Sequence, residues 1–159
     1  MSELEFQRVY DATAGPILGY LVAVTGRREV ADDLLQETFC RLLVHRKARA
    51  GLDAQETRRY LFRIATNLLR DRWRSGEDRP FAEPAEAGAL PSLESTIDIR
   101  AMLKHLKSRE RELLWLAYVE GMDHAEIAAA TGLGRLSVRT LLFRARNKAK
   151  RFLGQGELV

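Results

Sequence analysis

A chain of 159 residues has room for one ordinary domain or two small helical ones. Apolar residues make up 46 %, enough for a packed core, which excludes wholesale disorder. No apolar run reaches the roughly 18–20 residues of a membrane span, and MSELEFQRVY lacks the apolar stretch of a signal peptide. No membrane insertion is therefore expected, and the lone Cys40 fits a reducing cytoplasm.

The net charge of +4 is modest, but its placement is uneven. Residues 58–74 hold Arg58, Arg59, Arg63, Arg70, Arg72 and Arg74 against Asp71 alone. Residues 135–151 hold Arg135, Arg139, Arg144, Arg146, Lys148, Lys150 and Arg151 and no acid. Between them, Glu77, Asp78, Glu83, Glu86 and Glu94 oppose only Arg79. Two basic blocks flanking an acidic connector point to a polyanion, which such blocks attract and steer. A solvated helix face is the bland alternative.

In chain order, Phe6, Val9, Tyr10 and Thr13 predict a short helix, with a break at Gly15-Pro16 and a second helix carrying Ile17, Leu18, Leu21 and Val22 as far as Gly26. Val30, Leu34, Leu35, Thr38, Phe39, Leu42 and Leu43 recur at three and four residues and predict a helix over about 28–47. Its outer face begins acidic, with Glu29, Asp32, Asp33 and Glu37, and ends basic, an order that suits the helix dipole. A helix over about 55–74 has Tyr60, Leu61, Ile64, Ala65, Leu68, Leu69 and Trp73 as its buried stripe. The opposite face aligns Arg59, Arg63, Asn67, Arg70 and Arg74. Arginines hold phosphates, and Asn67 is either a base-edge reader or an ordinary surface residue.

Pro80, Pro84, Pro91, Gly76 and Gly88 fall within 75–96, where no helical or alternating pattern survives. This stretch reads as a flexible acidic linker between a first domain, 1–74, and a second, 97–153. The fold class is all-α. Ile99, Met102, Leu103 and Leu106 predict one helix; Ser108 is the expected cap of the next, which Gly121 ends. Asp123 with Glu126 predicts a capping box for a short helix through Ala130. Gly132 makes the turn and a last helix runs over about 135–153. Ala128, Gly132 and Val138 have the spacing of a helix-turn-helix: a small residue at the crossing, a permissive turn, and an apolar plug. The early residues of the second helix, Arg135, Ser137, Arg139 and Thr140, then face a major groove. Arg144 and Lys148 follow toward phosphates.

These segments together resemble a bacterial group IV, or extracytoplasmic-function (ECF), sigma factor, over both domains and in the same order. ADDLLQETFCRL is similar to the family's core-polymerase-binding segment, YLFRIATNLLRDRWR to its −10 segment, and SVRTLLFRARNKAKRFL to its −35 helix. The resemblance implies that Asp32, Asp33, Gln36, Glu37 and Phe39 dock on the β′ coiled coil of RNA polymerase. It implies that Arg59, Arg63, Asn67, Arg70 and Arg74 hold the melted −10 strand, and that Arg135, Ser137, Arg139, Thr140 and Arg144 meet the −35 duplex. Promoter DNA, polymerase core and an anti-sigma factor are the implied partners, with no cofactor and no enzymatic activity of its own. Tyr60, Lys107, Gly134 and Leu141 depart from the family pattern, and Leu141 stands where a −35 contact is expected.

Two other classes compete. An enzyme would need a catalytic constellation, but Cys40 and His45 are badly placed on one helix, and His45, His105 and His124 are scattered. A stand-alone helix-turn-helix regulator needs only 97–153 and leaves the acidic 32–37 face and the 59–74 stripe unexplained.

Overall fold

The computed structural model describes residues 2–45, 47, 51–75 and 102–154, and among them there are helices and connections but no strand. Helix α1 spans Glu3–Thr25 and opens with a capping box. The Ser2 hydroxyl accepts from the Glu5 amide at 3.1 Å while the Glu5 carboxylate accepts from the Ser2 amide at 2.8 Å. The expected break at Gly15-Pro16 does not occur: Pro16 lies inside one continuous helix. Gly15 has no Cβ to clash with the proline ring, and Ile17, Tyr20, Leu21, Val22 and Val24 beyond it are fully buried. Their packing outweighs the one backbone bond that Pro16 cannot donate.

Helix α2 spans Arg28–Val44, shorter than its pattern suggested, and α3 spans Ala54–Arg74 behind a second capping box, Asp53 with Glu56. The connector between residues 76 and 101, and with it nearly all of the expected linker and Ile99, lies outside the described residues. Residues 102–104 form a helical turn before α4, Ser108–Tyr118. Ser108 is not its cap. Lys107 holds the extended N-cap backbone and Ser108 is already helical, its hydroxyl accepting from Arg111 instead at 2.9 Å. Helix α5 spans His124–Thr131 with the expected Asp123–Glu126 box, and α6 spans Arg135–Gly154.

The two halves share one core. Tyr20, Phe62, Leu61 and Leu69 of the first half and Leu113, Leu116 and Ile127 of the second are all fully buried in a single cluster. Helix α1 packs on α4, and α3 packs on α5.

Candidate nucleic-acid interface

Helices α5 and α6 form the helix-turn-helix. Gly132 closes α5 in the left-handed region at φ 77°, its amide donating to the Ala128 carbonyl at 2.9 Å, which is a backbone that a side chain would strain. Val138 is completely buried and holds the angle between the helices, with Leu142, Ala145 and Ala149 continuing the inward stripe. Arg135, Ser137, Arg139, Thr140 and Arg144 are all exposed on the outside. Leu141 is half-buried against the core, so its replacement of a polar residue takes nothing from that outer surface. Lys148, expected beside phosphates, instead pairs with Glu110 of α4 at 3.1 Å.

The arginine stripe of α3 has a different surrounding. Arg63 Nη1 donates to the Ala129 carbonyl, and the neighbouring Thr66 hydroxyl donates to the Ala130 carbonyl, both in the last turn of α5. Arg59 pairs with Glu126 at 3.6 Å. The Arg70 guanidinium packs against the Gly132 turn: a Cβ on Gly132 would meet Arg70 Nη1 at 2.9 Å. Arg70 Nε and Nη2 are buried there with no hydrogen-bond partner among the described residues. Arg74 is exposed and bonds Asp71 at 2.9 Å, and Asn67 is half-buried.

On α2, Asp33, Gln36 and Glu37 are exposed, whereas Asp32 is half-buried and pairs with Arg28 at 3.2 Å. Phe39 is only 4 % exposed and packs against Phe6 and Tyr10, with ring centroids 6.0 and 4.9 Å away. It fixes α1 to α2 rather than presenting a ring to a partner.

Sequence comparison decides which kind of helix-turn-helix protein this is. The model of sigma-70 region 2 matches residues 9–79, and that of sigma-70 region 4 matches residues 96–148. The chain belongs to the ECF sigma factors. This sigma factor is 24 % identical to the ECF sigma factor SigM of Bacillus subtilis, over 96 % of the chain and 98 % of the relative. It is 26 % identical to SigL of Mycobacterium tuberculosis, over 84 % and 80 %. Its fold matches the sigma factor RpoE of Bartonella quintana, solved in complex with the anti-sigma factor NepR, with a TM-score of 0.73 at 18 % identity over 94 % and 97 % of the two chains. CnrH, solved with the cytosolic domain of CnrY, gives 0.69 at 24 % identity over 97 % and 90 %. As an alternative sigma factor the protein binds core RNA polymerase and directs promoter-specific initiation.

In this sigma factor a polar seam joins the two halves, and in several of its contacts a side chain of one half caps a helix end of the other. The last carbonyls of a helix have no partner within it. Arg111 of α4 donates through Nε and Nη2 to the Val24 carbonyl at the end of α1, at 2.9 and 2.6 Å. Arg58 of α3 donates to the carbonyl and the carboxylate of Glu120, just past α4, at 3.1 and 2.9 Å. Arg63 and Thr66 serve the end of α5. At the centre, Glu112 is 0 % exposed and accepts from the Tyr20 hydroxyl at 2.5 Å and from Arg109 Nη1 at 2.6 Å. Arg109 also stacks over Trp73, 5.4 Å from the ring centroid. Burial raises the Glu112 carboxyl above its ordinary value, against the downward pull of Arg109 and Tyr20. Burial and the facing carboxylate push the Tyr20 phenol well up. Sequence reasoning passed over Tyr20, Arg109, Arg111 and Glu112. Their one signal was Glu112 itself, an acid falling among the apolar residues Leu113, Leu114 and Leu116 of a short helix.

Proposed function

We propose that the chain divides into a unit of residues 1–74 that docks on polymerase and holds the melted −10 strand, a connector over 75–96, and a unit of residues 97–153 that reads the −35 duplex. Asp33, Gln36 and Glu37, flanked by Asp32, form the polymerase-docking face, with Phe39 beneath as its support. Arg59, Arg63, Asn67, Arg70 and Arg74 grip the non-template strand; guanidinium groups hold phosphates and Asn67 meets a base edge. Arg135, Ser137, Arg139 and Thr140 enter the −35 groove while Arg144 holds a phosphate.

The observation that carries this reading is the unequal engagement of the three surfaces. The acidic face of α2 and the outer face of α6 stand open, whereas on α3 the exposed Arg63 is bonded to the end of α5 and the half-buried Arg70 is packed against the turn that follows it. A strand at −10 therefore requires α3 to leave α5, a step that polymerase docking supplies by holding the two units apart. An anti-sigma factor is the matching antagonist, supported by the likeness to RpoE and CnrH, both solved with protein partners. The site of action is the cytoplasm; among the described residues no helix is long and apolar enough to cross a membrane.

Run-off transcription with purified core polymerase and a pool of genomic promoter fragments tests the reading. Discrete transcripts that need this chain are expected. Tight operator binding by the chain alone, with no transcript from any fragment, would make it a stand-alone regulator. On a promoter so identified, Arg144→Ala should lower holoenzyme affinity similarly for all −35 sequences and reduce the slope of log affinity against log salt by about one. An unchanged slope would remove Arg144 from the phosphate contacts.

A further inference from the structure

At the N-terminal end of α6 the outermost ridge is not basic. Leu136, the second residue of the helix, is 79 % exposed, and Phe143, two turns further on the same face, is 58 % exposed. Singly exposed leucines are ordinary on protein surfaces. This one stands at the end of a recognition helix that reaches base edges first. Counting 100° per residue, Leu136 and Thr140 lie within about 30° of the direction opposite the buried Val138–Ala149 stripe, and Phe143 lies about 50° to one side of it. Arg139 flanks them on one side and Arg144 on the other, while Arg151 lies near the same outward direction about four turns beyond Leu136. The helix carries no acid anywhere. An apolar ridge between two basic rims matches a DNA major groove: phosphates on both walls and, on the floor, the one apolar group that B-DNA offers there, the thymine C5-methyl.

We propose that Leu136 is a specificity-determining residue that reads a thymine methyl in the −35 element. The inference rests on the assignment of α6 to the −35 duplex. A leucine side chain has no donor or acceptor, so its selectivity comes from what it buries. Against thymine it covers a methyl group. Against cytosine it strips water from an N4 amino group, and against a purine from N7, and returns no hydrogen bond to either. Thymine presents O4 where cytosine presents N4, so what sets thymine apart is the methyl that leucine buries. Thr140, one turn along, brings its own methyl and hydroxyl to the next base pairs, so the ridge reads a short run rather than a single position.

The test removes only the methyl. On a promoter identified by run-off, each thymine of the upstream element is replaced in turn by uracil. Affinity of the reconstituted holoenzyme is then measured by competition, for the native chain and for Leu136→Ala. Loss of one buried methyl corresponds to about fourfold in affinity. The native chain should lose about that much at one thymine, and Leu136→Ala should bind the unmodified promoter correspondingly more weakly and be indifferent to uracil there. Leu136→Gln should move the preference at that pair toward adenine, which Gln pairs through N6 and N7. Uracil substitutions without effect at every thymine, or a uracil penalty that persists undiminished in Leu136→Ala, would overturn the proposal. So would a Leu136→Ala holoenzyme that binds promoters normally while the chain loses its anti-sigma factor, since the ridge would then be a protein-docking surface. Failure of the underlying assignment looks different: the holoenzyme would be insensitive to any base change in the upstream element.

Discussion

Glu112→Ala is expected to release the arginine stripe of α3. Glu112 is the one fully buried acid of the seam among the described residues, and two groups depend on it, the Tyr20 hydroxyl at 2.5 Å and Arg109 at 2.6 Å. Truncation leaves the fully buried Tyr20 hydroxyl without its acceptor, an orphan that costs about 1–3 kcal/mol, and leaves Arg109, which keeps some access to water, without its ion pair. The seam has little reserve, because Arg70 already holds Nε and Nη2 buried without partners. Separation returns them to water or to a phosphate. The free chain carrying Glu112→Ala should therefore bind a single-stranded −10 oligonucleotide at least about tenfold more tightly than the native chain, the equivalent of about 1.4 kcal/mol in the opening equilibrium. Fluorescence anisotropy reads the affinity and small-angle scattering the expansion. Tyr20→Phe, which deletes one hydroxyl and keeps the ring on Phe62, should move both in the same direction by less. An expanded chain whose strand affinity does not rise would show that the stripe was never masked.

The same residue sets a pH dependence. The Glu112 carboxyl is raised in the closed form, so that form takes up a proton more readily than a chain in which the residue is solvated. Its contribution is complete below the ordinary carboxyl value and declines as pH rises through the raised one. Mild acid should thus favour closure. Glu112→Gln keeps an acceptor for Tyr20, carries no charge, and should flatten this part of the profile in an opening measurement.

Much of this architecture was legible in the sequence, and the physical reason is locality. Capping at Asp123 and Glu126, the turn at Gly132 and the plug at Val138 are decided within a few residues of each other, so spacing alone reveals them. Pro16 misled because its cost is local while its compensation is not. The residues that carry the helix through it are buried by α2, α3 and α4, which no window around position 16 contains. Arg63 and Arg70 show the same limit from the other side. Their spacing correctly places them on one outer face of α3, but whether that face meets solvent, DNA or α5 depends on residues more than 60 positions away. Lys148 was misread for a related reason, since the charge that engages it, Glu110, lies on another helix. Periodicity identifies a face but does not say what the face touches.

The acidic face of α2 gives the second large effect. Asp33 and Glu37 are exposed one turn apart, and neither takes part in the seam. Glu37 pairs with Arg41 at 3.2 Å, with both side chains about half exposed, an arrangement that contributes little to folding. The double variant Asp33→Lys, Glu37→Lys should therefore keep its helicity, since placing a second positive charge one turn before Arg41 costs only a few tenths of a kcal/mol. Its effect falls on the partner. If the face meets a basic surface of the polymerase, two attractions become two repulsions, and like charges juxtaposed across an interface cost several kcal/mol. Core affinity should fall by about a hundredfold or more, measured by competition with the native chain for a limiting amount of core enzyme. Raising the variant's concentration should restore run-off transcription from the same start sites, because Arg135, Arg139 and the other promoter-facing residues are untouched. That rescue separates a docking defect from a recognition defect. Unchanged competition by the variant would move the polymerase contact off this face of α2.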